Sequence, residues 1–334
     1  MSLAAVGVDL GGTKVAAAPL RDGLLGDSVV RPTPRSGGSG LLDELVAVIR
    51  DVAPGALDAV GVGVPSIVEF ETGRVISSVN VPLADIPLRQ VLSERLGLPV
   101  FVDNDATVAA LAEAHDEHLQ FVTRNLVMLT VGTGIGGGLV LDGRIYRGST
   151  GGAGELGHTI VGLDLSGPVP APVGFPQPGS LERVASGHAL DRMGAEAAER
   201  EPESALGRLR AEDRPVLGPD VVAAAYDGDA AALETLEIWA EHLGIGAANA
   251  INTFDPDEVV IGGGGALAGE LLLEPVIRVA NQYAHPGLVC KSVIRLARHG
   301  LRAGVLGAAM LALSELERAS APVATAATST DKRR

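Results

Sequence analysis

Cysteine is all but missing from this 334-residue chain, where Cys290 stands alone. One thiol closes no intrachain disulfide and furnishes no multi-cysteine zinc site, so it reads as a small buried apolar residue. Lysine is scarce as well: Lys14, Lys291 and Lys332 are the only three, and the formal net charge is −15. A surface of that sign repels a phosphate backbone, which argues against nucleic acid as a partner while leaving room for one basic cleft. Aromatic residues are 3% of the chain, too few to line a stacking platform for bases. The longest uncharged apolar run, Leu126 to Leu141, is too short for a membrane helix and is studded with glycine. Met1-Ser2-Leu3-Ala4 lacks the basic start and apolar core of a signal peptide. The expectation is a cytoplasmic protein whose partners include neither membrane nor nucleic acid.

What the chain does have is apolar residues, at 46%, and a length that allows two domains with cores of their own. Ala4 to Asp9 reads as a buried strand, Gly11-Gly12 as a turn and Val15 to Leu20 as a second strand. Leu41 to Val52 carries apolar residues at helical spacing. Val60 to Val64 is a strand, Glu71-Thr72-Gly73-Arg74 the tip of a short hairpin, and Leu88 to Leu96 a helix. Val100 to Val102 is a strand, and Ala106 to His118 a helix. Then the pattern restarts: Leu126 to Val131 is a strand, Gly132 to Gly138 a turn and Leu139 to Leu141 a strand. Strand, glycine-rich turn, strand thus occurs twice, which suggests two related halves, each with a phosphate-sized loop. Ser166 to Ser180 holds five prolines and can be neither helix nor central strand. Ala230 to Thr253 is a long helix, Glu258 to Ile261 a strand, Ala266 to Ala280 a helix and Leu301 to Ala319 a closing helix. Residues 322–334 read as a disordered tail.

Several clusters carry chemistry. In Asp9-Leu10-Gly11-Gly12-Thr13-Lys14 the glycines let backbone N–H groups approach an anion, Thr13 adds a hydroxyl, Lys14 a charge, and Asp9 a ligand for Mg2+ or its waters. A plain hairpin turn is the competing reading. Gly132, Gly134 and Gly137 fit a dinucleotide fingerprint in letters only, because a strand and not a helix follows. A phosphate loop between strands remains, Thr133 included; there is no G-x-x-x-x-G-K-[ST] segment. Asp103-Asn104-Asp105 lies where a strand enters a helix, so Asp105 reads either as a cap or as a general base, and Asp103 fits the second role equally on spacing. Gly148 to His158 places Glu155 and His158 three residues apart in a glycine-rich run, and Glu182 follows the prolines; Glu and His are good partners for sugar hydroxyls. Gly262, Gly263 and Gly264 end a strand where a helix begins, a usable anion or nucleotide site.

In this order the motifs resemble the ROK family, the bacterial repressor, open-reading-frame and kinase group of the actin-like ATPase superfamily. The resemblance runs from Val6 to Ala309. It implies an α/β protein with a two-domain actin-like ATPase (ribonuclease H-like) fold, a duplicated βββαβαβα core and an interdomain cleft. The expected division is a small domain over residues 1–115 and a larger one over 116–300, with the closing helix packed back on the first. The resemblance implies a kinase that phosphorylates a primary hydroxyl of a hexose-like sugar from ATP and Mg2+, as a homodimer or higher homo-oligomer. It places the base at Asp105. Asn80, Asn104, Asp105, Glu155, His158 and Glu182 become the sugar side. Asp9, Gly11, Gly12, Thr13, Lys14, Gly132, Thr133, Gly134, Gly262, Gly263 and Gly264 become the nucleotide side.

Three departures bear on the substrate. The family often carries a cysteine-rich zinc motif between its sugar-binding His and the second Glu; Ser166 to Ser180 has none, so no structural zinc is expected. Pro65-Ser66 stands where the family has Pro-Gly. Asn80-Val81-Pro82-Leu83-Ala84 lacks the aromatic usually found beyond it. The sugar stays open among glucose, other hexoses, N-acylhexosamines and cyclitols, and the donor between ATP and polyphosphate. Eight residues precede Asp9, so no helix-turn-helix domain is expected. A sugar-binding, non-catalytic or regulatory member of the family is the alternative.

Overall fold

The computed structural model describes residues 3–34, 38–53, 55–78 and 81–320. Asn80 and the tail at 322–334 lie outside the described residues. The first half runs β1 (Ala4–Leu10), β2 (Lys14–Arg21), β3 (Leu24–Leu25), β4 (Val29–Pro32), α1 (Gly38–Val52), β5 (Ala59–Val64), β6 (Ser66–Glu69), β7 (Arg74–Ser78), α2 (Leu88–Leu96), β8 (Val100–Asn104) and α3 (Asp105–Glu113). The second runs β9 (Leu126–Val131), β10 (Ile135–Leu141), β11 (Arg144–Ile145), α4 (Leu181–Ala185), α5 (Gly187–Arg200), α6 (Ala205–Ala211), α7 (Gly218–Tyr226), α8 (Ala230–Phe254), β12 (Glu258–Gly262), α9 (Glu270–Tyr283), α10 (Pro286–Val289), β13 (Val293–Leu296) and α11 (Ala303–Ser320).

The two larger sheets repeat one design, and β6 and β7 pair as a separate hairpin. The first has the order β3-β2-β1-β5-β8 with β4 also on β2, and the second β11-β10-β9-β12-β13. Each begins with an antiparallel hairpin, β1–β2 or β9–β10, and continues with two parallel strands, β5 and β8 or β12 and β13. All six residues of β5 are buried, as a strand covered on both faces requires.

Helices α3 and α11 lie between the sheets, each closing one half yet packing on the other. Helix α11 rests on β1 and β5, and α3 on β9 and β10. The approach is backbone to backbone. A Cβ on Gly61 would lie 1.7 Å from the Ala308 carbonyl oxygen, one on Gly7 1.9 Å from that of Val305, and one on Gly307 1.7 Å from that of Val108. Gly7 and Gly61 are cross-strand neighbours, so together they make a trough for α11. Small side chains fill what space is left: Ala109, Ala110 and Ala112 of α3 and Ala303 and Ala309 of α11 share a buried cluster with Met128, Val140 and Val260.

Several sequence expectations shift here for physical reasons. The turn expected over Gly132 to Gly138 shrinks, since β10 already begins at Ile135. Gly136 and Gly138 serve close approach instead: a Cβ on Gly138 would sit 2.3 Å from the Ala106 carbonyl oxygen. The helix expected to His118 ends at Glu113, because Asp116 Oδ1 accepts from the N–H groups of His118 and Gln120 and folds a turn there. The helix expected over Ala266 to Ala280 is a single 3-10 turn, Gly264–Ala268, then a break at Gly269 with φ 58°, then α9. Cys290, expected inside, is exposed just past the short helix α10.

The two chain crossings between the sheets, after α3 and before α11, are joined by one polar network. The fully buried Glu113 carboxylate accepts from Arg295 at 2.7 Å and from the backbone N–H groups of Arg298 at 3.0 Å and His299 at 2.9 Å. Arg295 also donates to Glu258 at 2.8 Å, and His299 Nε2 lies 3.0 Å from the His115 carbonyl oxygen. Without the Glu113 carboxylate Arg295 keeps Glu258, but the N–H groups of Arg298 and His299 lose their acceptor and Arg295 loses one of its two carboxylates, together a cost of about 3–5 kcal/mol. Chemical denaturation should therefore show Glu113→Ala destabilised by about that amount, with Glu113→Gln, which keeps an acceptor oxygen, harmed less. Wild-type stability in Glu113→Ala would mean that the network does not hold the crossings together.

Candidate active site

Each half offers a glycine turn at the same place in its sheet. In the first, Gly11 N–H donates to the Lys14 carbonyl at 2.8 Å and closes the β1–β2 hairpin. Thr33 braces it, its hydroxyl donating to the Gly11 carbonyl at 2.7 Å. Gly12 is half-buried, and Thr13 and Lys14 are exposed. Asp9, the penultimate residue of β1, lies beside the start of α11, where a Cβ on Gly304 would come within 2.6 Å of its Oδ2. Burial pushes the Asp9 carboxyl above its usual range, with Lys14 opposing.

In the second turn, Gly132 N–H donates to the Gly134 carbonyl at 2.9 Å, and Gly132 and Thr133 are exposed. The start of the next helices holds it from behind: Gly187 N–H donates to the Gly132 carbonyl at 2.8 Å, and Glu182 Oε2 accepts from Ile135 N–H at 2.8 Å. Gly262 and Gly263 lie alongside, since β12 pairs with β9, and Gly263, with φ 78°, packs on the Val131 carbonyl. Gly264 opens on free space. The second and third glycine segments are thus one continuous surface, and the first belongs to the other sheet.

Asp105 is the first residue of α3, between these surfaces. The helix cap is its neighbour: Asn104 Oδ1 accepts from Thr107 N–H at 3.1 Å. Asp105 is therefore not the cap, although its Oδ1 accepts from Ala106 N–H at 2.8 Å, and Asn104, expected on the sugar side, has a structural task. Asp103, the other carboxylate open on spacing, is buried and paired to Arg147, whose Nε donates at 2.7 Å. Asp105 is half-buried, and its carboxyl is pushed up to about 7, first by desolvation, then by the negative charges of Asp9 and Glu155.

Glu155 and His158 flank a 3-10 turn, Leu156–His158. His158 Nε2 lies 3.5 Å from Glu155 Oε2. Burial raises the Glu155 carboxyl, His158 opposes this, and Glu182 adds to it. Asp9, Asp105, Glu155 and Glu182 therefore form one electrostatically linked row, with His158 against it. Phe175, which the sequence reading did not single out, packs its ring on His158 at 4.3 Å. It is the one aromatic in the proline-rich stretch, and that isolation was the available signal. The His158 Nδ1 atom is buried with no hydrogen-bond partner among the described residues. A zinc cage does not fit here: the stretch beside His158 has no thiol, and Phe175 packs on the ring.

A family model described as "ROK family" matches residues 5–315. The chain is 36% identical over 318 residues to a glucokinase of Halalkalibacterium halodurans, covering 92% of this chain and 94% of that one. Among solved structures it resembles a ROK family glucokinase from Streptomyces griseus in complex with glucose and AMPPNP, with a TM-score of 0.81 and 31% identity over 93% of this chain and 99% of that one. It also resembles a ROK hexokinase from Thermus thermophilus, with a TM-score of 0.71 and 37% identity over 95% and 100% of the two chains.

The raised carboxyl gives a stability test. The folded-state value of about 7 for Asp105 lies above the ordinary 3.8, so the folded protein holds that proton more tightly. Its contribution is complete below the unfolded value and is lost as the pH rises through about 7. Asp105→Asn should therefore melt higher than the wild type at pH ~8, and the gap should shrink on acidification and close below pH ~4. Melting curves across that range check it; a gap that ignores pH would contradict the shift.

Proposed function

The chain belongs to the ROK family and is a sugar kinase, and we propose that it moves the γ-phosphoryl group of Mg2+-ATP to a primary hydroxyl of a hexose, with Asp105 as general base. The observation that carries this reading is the position of Asp105. It is the first residue of α3 but not its cap, and the charges of Asp9, at the first glycine turn, and of Glu155, on the expected sugar side, both act on its carboxyl.

Phosphoryl transfer to an alcohol needs positioning, charge stabilisation and an acceptor for the hydroxyl proton. A carboxylate with a pKa near neutrality is ionised often enough to accept that proton and basic enough to draw it. Burial and the neighbouring charges of Asp9 and Glu155 supply that basicity. On the sugar side, Glu155 and His158 would accept and donate to hydroxyls remote from the reacting one. Glu182 would add a further acceptor while its Oε2 holds Ile135 N–H, so one carboxylate would serve both the sugar and the turn beneath the phosphates. Asn104 contributes by fixing the start of α3.

On the donor side, the exposed Thr13 and Thr133 hydroxyls and the backbone of both turns would cradle the phosphates, with the adenosine along Gly262 to Gly264. Asp9 fits a cation: its carboxylate is desolvated, and among the described residues Lys14 is the charge that offsets it. Mg2+ on the donor would be held there through Asp9 and would supply neutralisation of the phosphate charge.

Asp105→Asn should lower turnover roughly 10²–10⁴-fold, the usual worth of a positioned acid–base group. Sugar binding measured by calorimetry on the same preparation should stay nearly intact. Turnover close to that of the wild type would remove Asp105 from the chemistry.

A further inference from the structure

We propose that Arg147 is a positioning residue that ties the sugar-side turn of one half to the strand that leads into Asp105 on the other, and so sets sugar affinity. The inference rests on the reading of Glu155 and His158 as the sugar side.

Arg147 follows β11 in the second sheet, but its guanidinium belongs to the first. It donates through Nε to Asp103 Oδ2 on β8 at 2.7 Å, and its Cζ stands 3.5 Å from the centre of the Phe70 ring, just after β6. Both partners of the ion pair are largely out of water, with 19% and 3% of their side-chain surfaces exposed. Phe70 is held in turn by Arg89, which donates to its carbonyl at 2.6 Å.

Two chains of bonds leave this point. In one direction Asp103 Oδ1 accepts from Asn104 N–H at 2.9 Å, Asn104 caps α3, and Asp105 begins it. In the other, the Arg147 carbonyl accepts from Ala153 N–H at 3.1 Å, closing a turn. The middle of that turn lies on the β6–β7 hairpin of the first half, where a Cβ on Gly151 would be 2.0 Å from the Val68 carbonyl oxygen. Glu155 and His158 come next. One guanidinium is therefore the shared anchor of the proposed base and of the residues that would grip the sugar, which sit on different halves. A planar group pressed on a ring and fixed through Nε also sets orientation, which a lysine cannot do.

A bolt that only added stability would change melting and leave kinetics alone, so the test reads kinetics with D-glucose and N-acetyl-D-glucosamine as acceptors. Arg147→Gln should raise the sugar KM about tenfold while the ATP KM stays within about twofold. Arg147→Lys should fall between and carries the test if the Gln variant does not fold. Arg147→Gln combined with Asp103→Asn leaves two neutral hydrogen-bonding side chains and no stranded charge, so it should recover much of the lost sugar affinity. Equal rises in both KM values, a drop in melting temperature with the sugar KM unchanged, or strictly additive losses in the double variant would overturn the inference. Glu155→Ala run alongside separates the two levels. If it weakens sugar use and Arg147→Gln does not, the anchor fails and the site stands. If it leaves the sugar KM where it was, the sugar-side reading fails and the anchor with it.

Discussion

The structure depends on how closely four backbone surfaces can approach. Helices α3 and α11 lie between two sheets at distances that no Cβ tolerates, and the contact points are Gly7, Gly61, Gly138 and Gly307. Dispersion and apolar burial across such contacts are strong because nothing intervenes, and the alanines of both helices fill the remainder. The cost is intolerance: a single methyl at Gly61 would have to push α11 off its sheet, and one at Gly307 would have to push the two helices apart. The benefit is placement. A helix seated this way, with its far end fixed through Glu113, holds its first residue at the meeting point of both halves.

That first residue is Asp105, and the charge pattern around it opposes what folding alone would choose. Four carboxylates, Asp9, Asp105, Glu155 and Glu182, stand within electrostatic reach of one another in an already acidic chain. Two of them, Asp9 and Glu155, are raised chiefly by burial, and Asp105 is raised by burial and by its neighbours. A cleft that stores like charge suits ligands that bring compensation: a cation on the donor side and hydroxyl donors on the acceptor side.

Much of this was legible in the sequence. Hydrophobic runs gave the strands, and the repeated strand–glycine–strand pattern gave the duplication now seen as two sheets of the same order. The ordered motifs pointed to the ROK family. Glycine was the hardest letter to read. At Gly136 and Gly138 it looked like a turn and is a strand pressed on α3, because one residue type serves both conformational freedom and close approach. The capping role was ambiguous for a related reason: Asn104 and Asp105 are both good caps, and only the backbone decides which one turns inward. Contacts between distant segments left no local trace. Nothing near Glu182 announces Ile135, nothing near Arg147 announces Asp103, and Phe175 on His158 could be suspected only from its being a lone aromatic among prolines.

The central claim is that this cleft couples the donor side to a sugar hydroxyl through Asp105. Phosphorus NMR of the wild-type protein with Mg2+-ATP and a panel of hexoses and N-acylhexosamines tests it most directly. The account predicts a sugar 6-phosphate resonance growing in step with ADP for at least one acceptor, and little ADP when the sugar is left out. ADP released without a sugar phosphate, or no turnover with any acceptor, would contradict it.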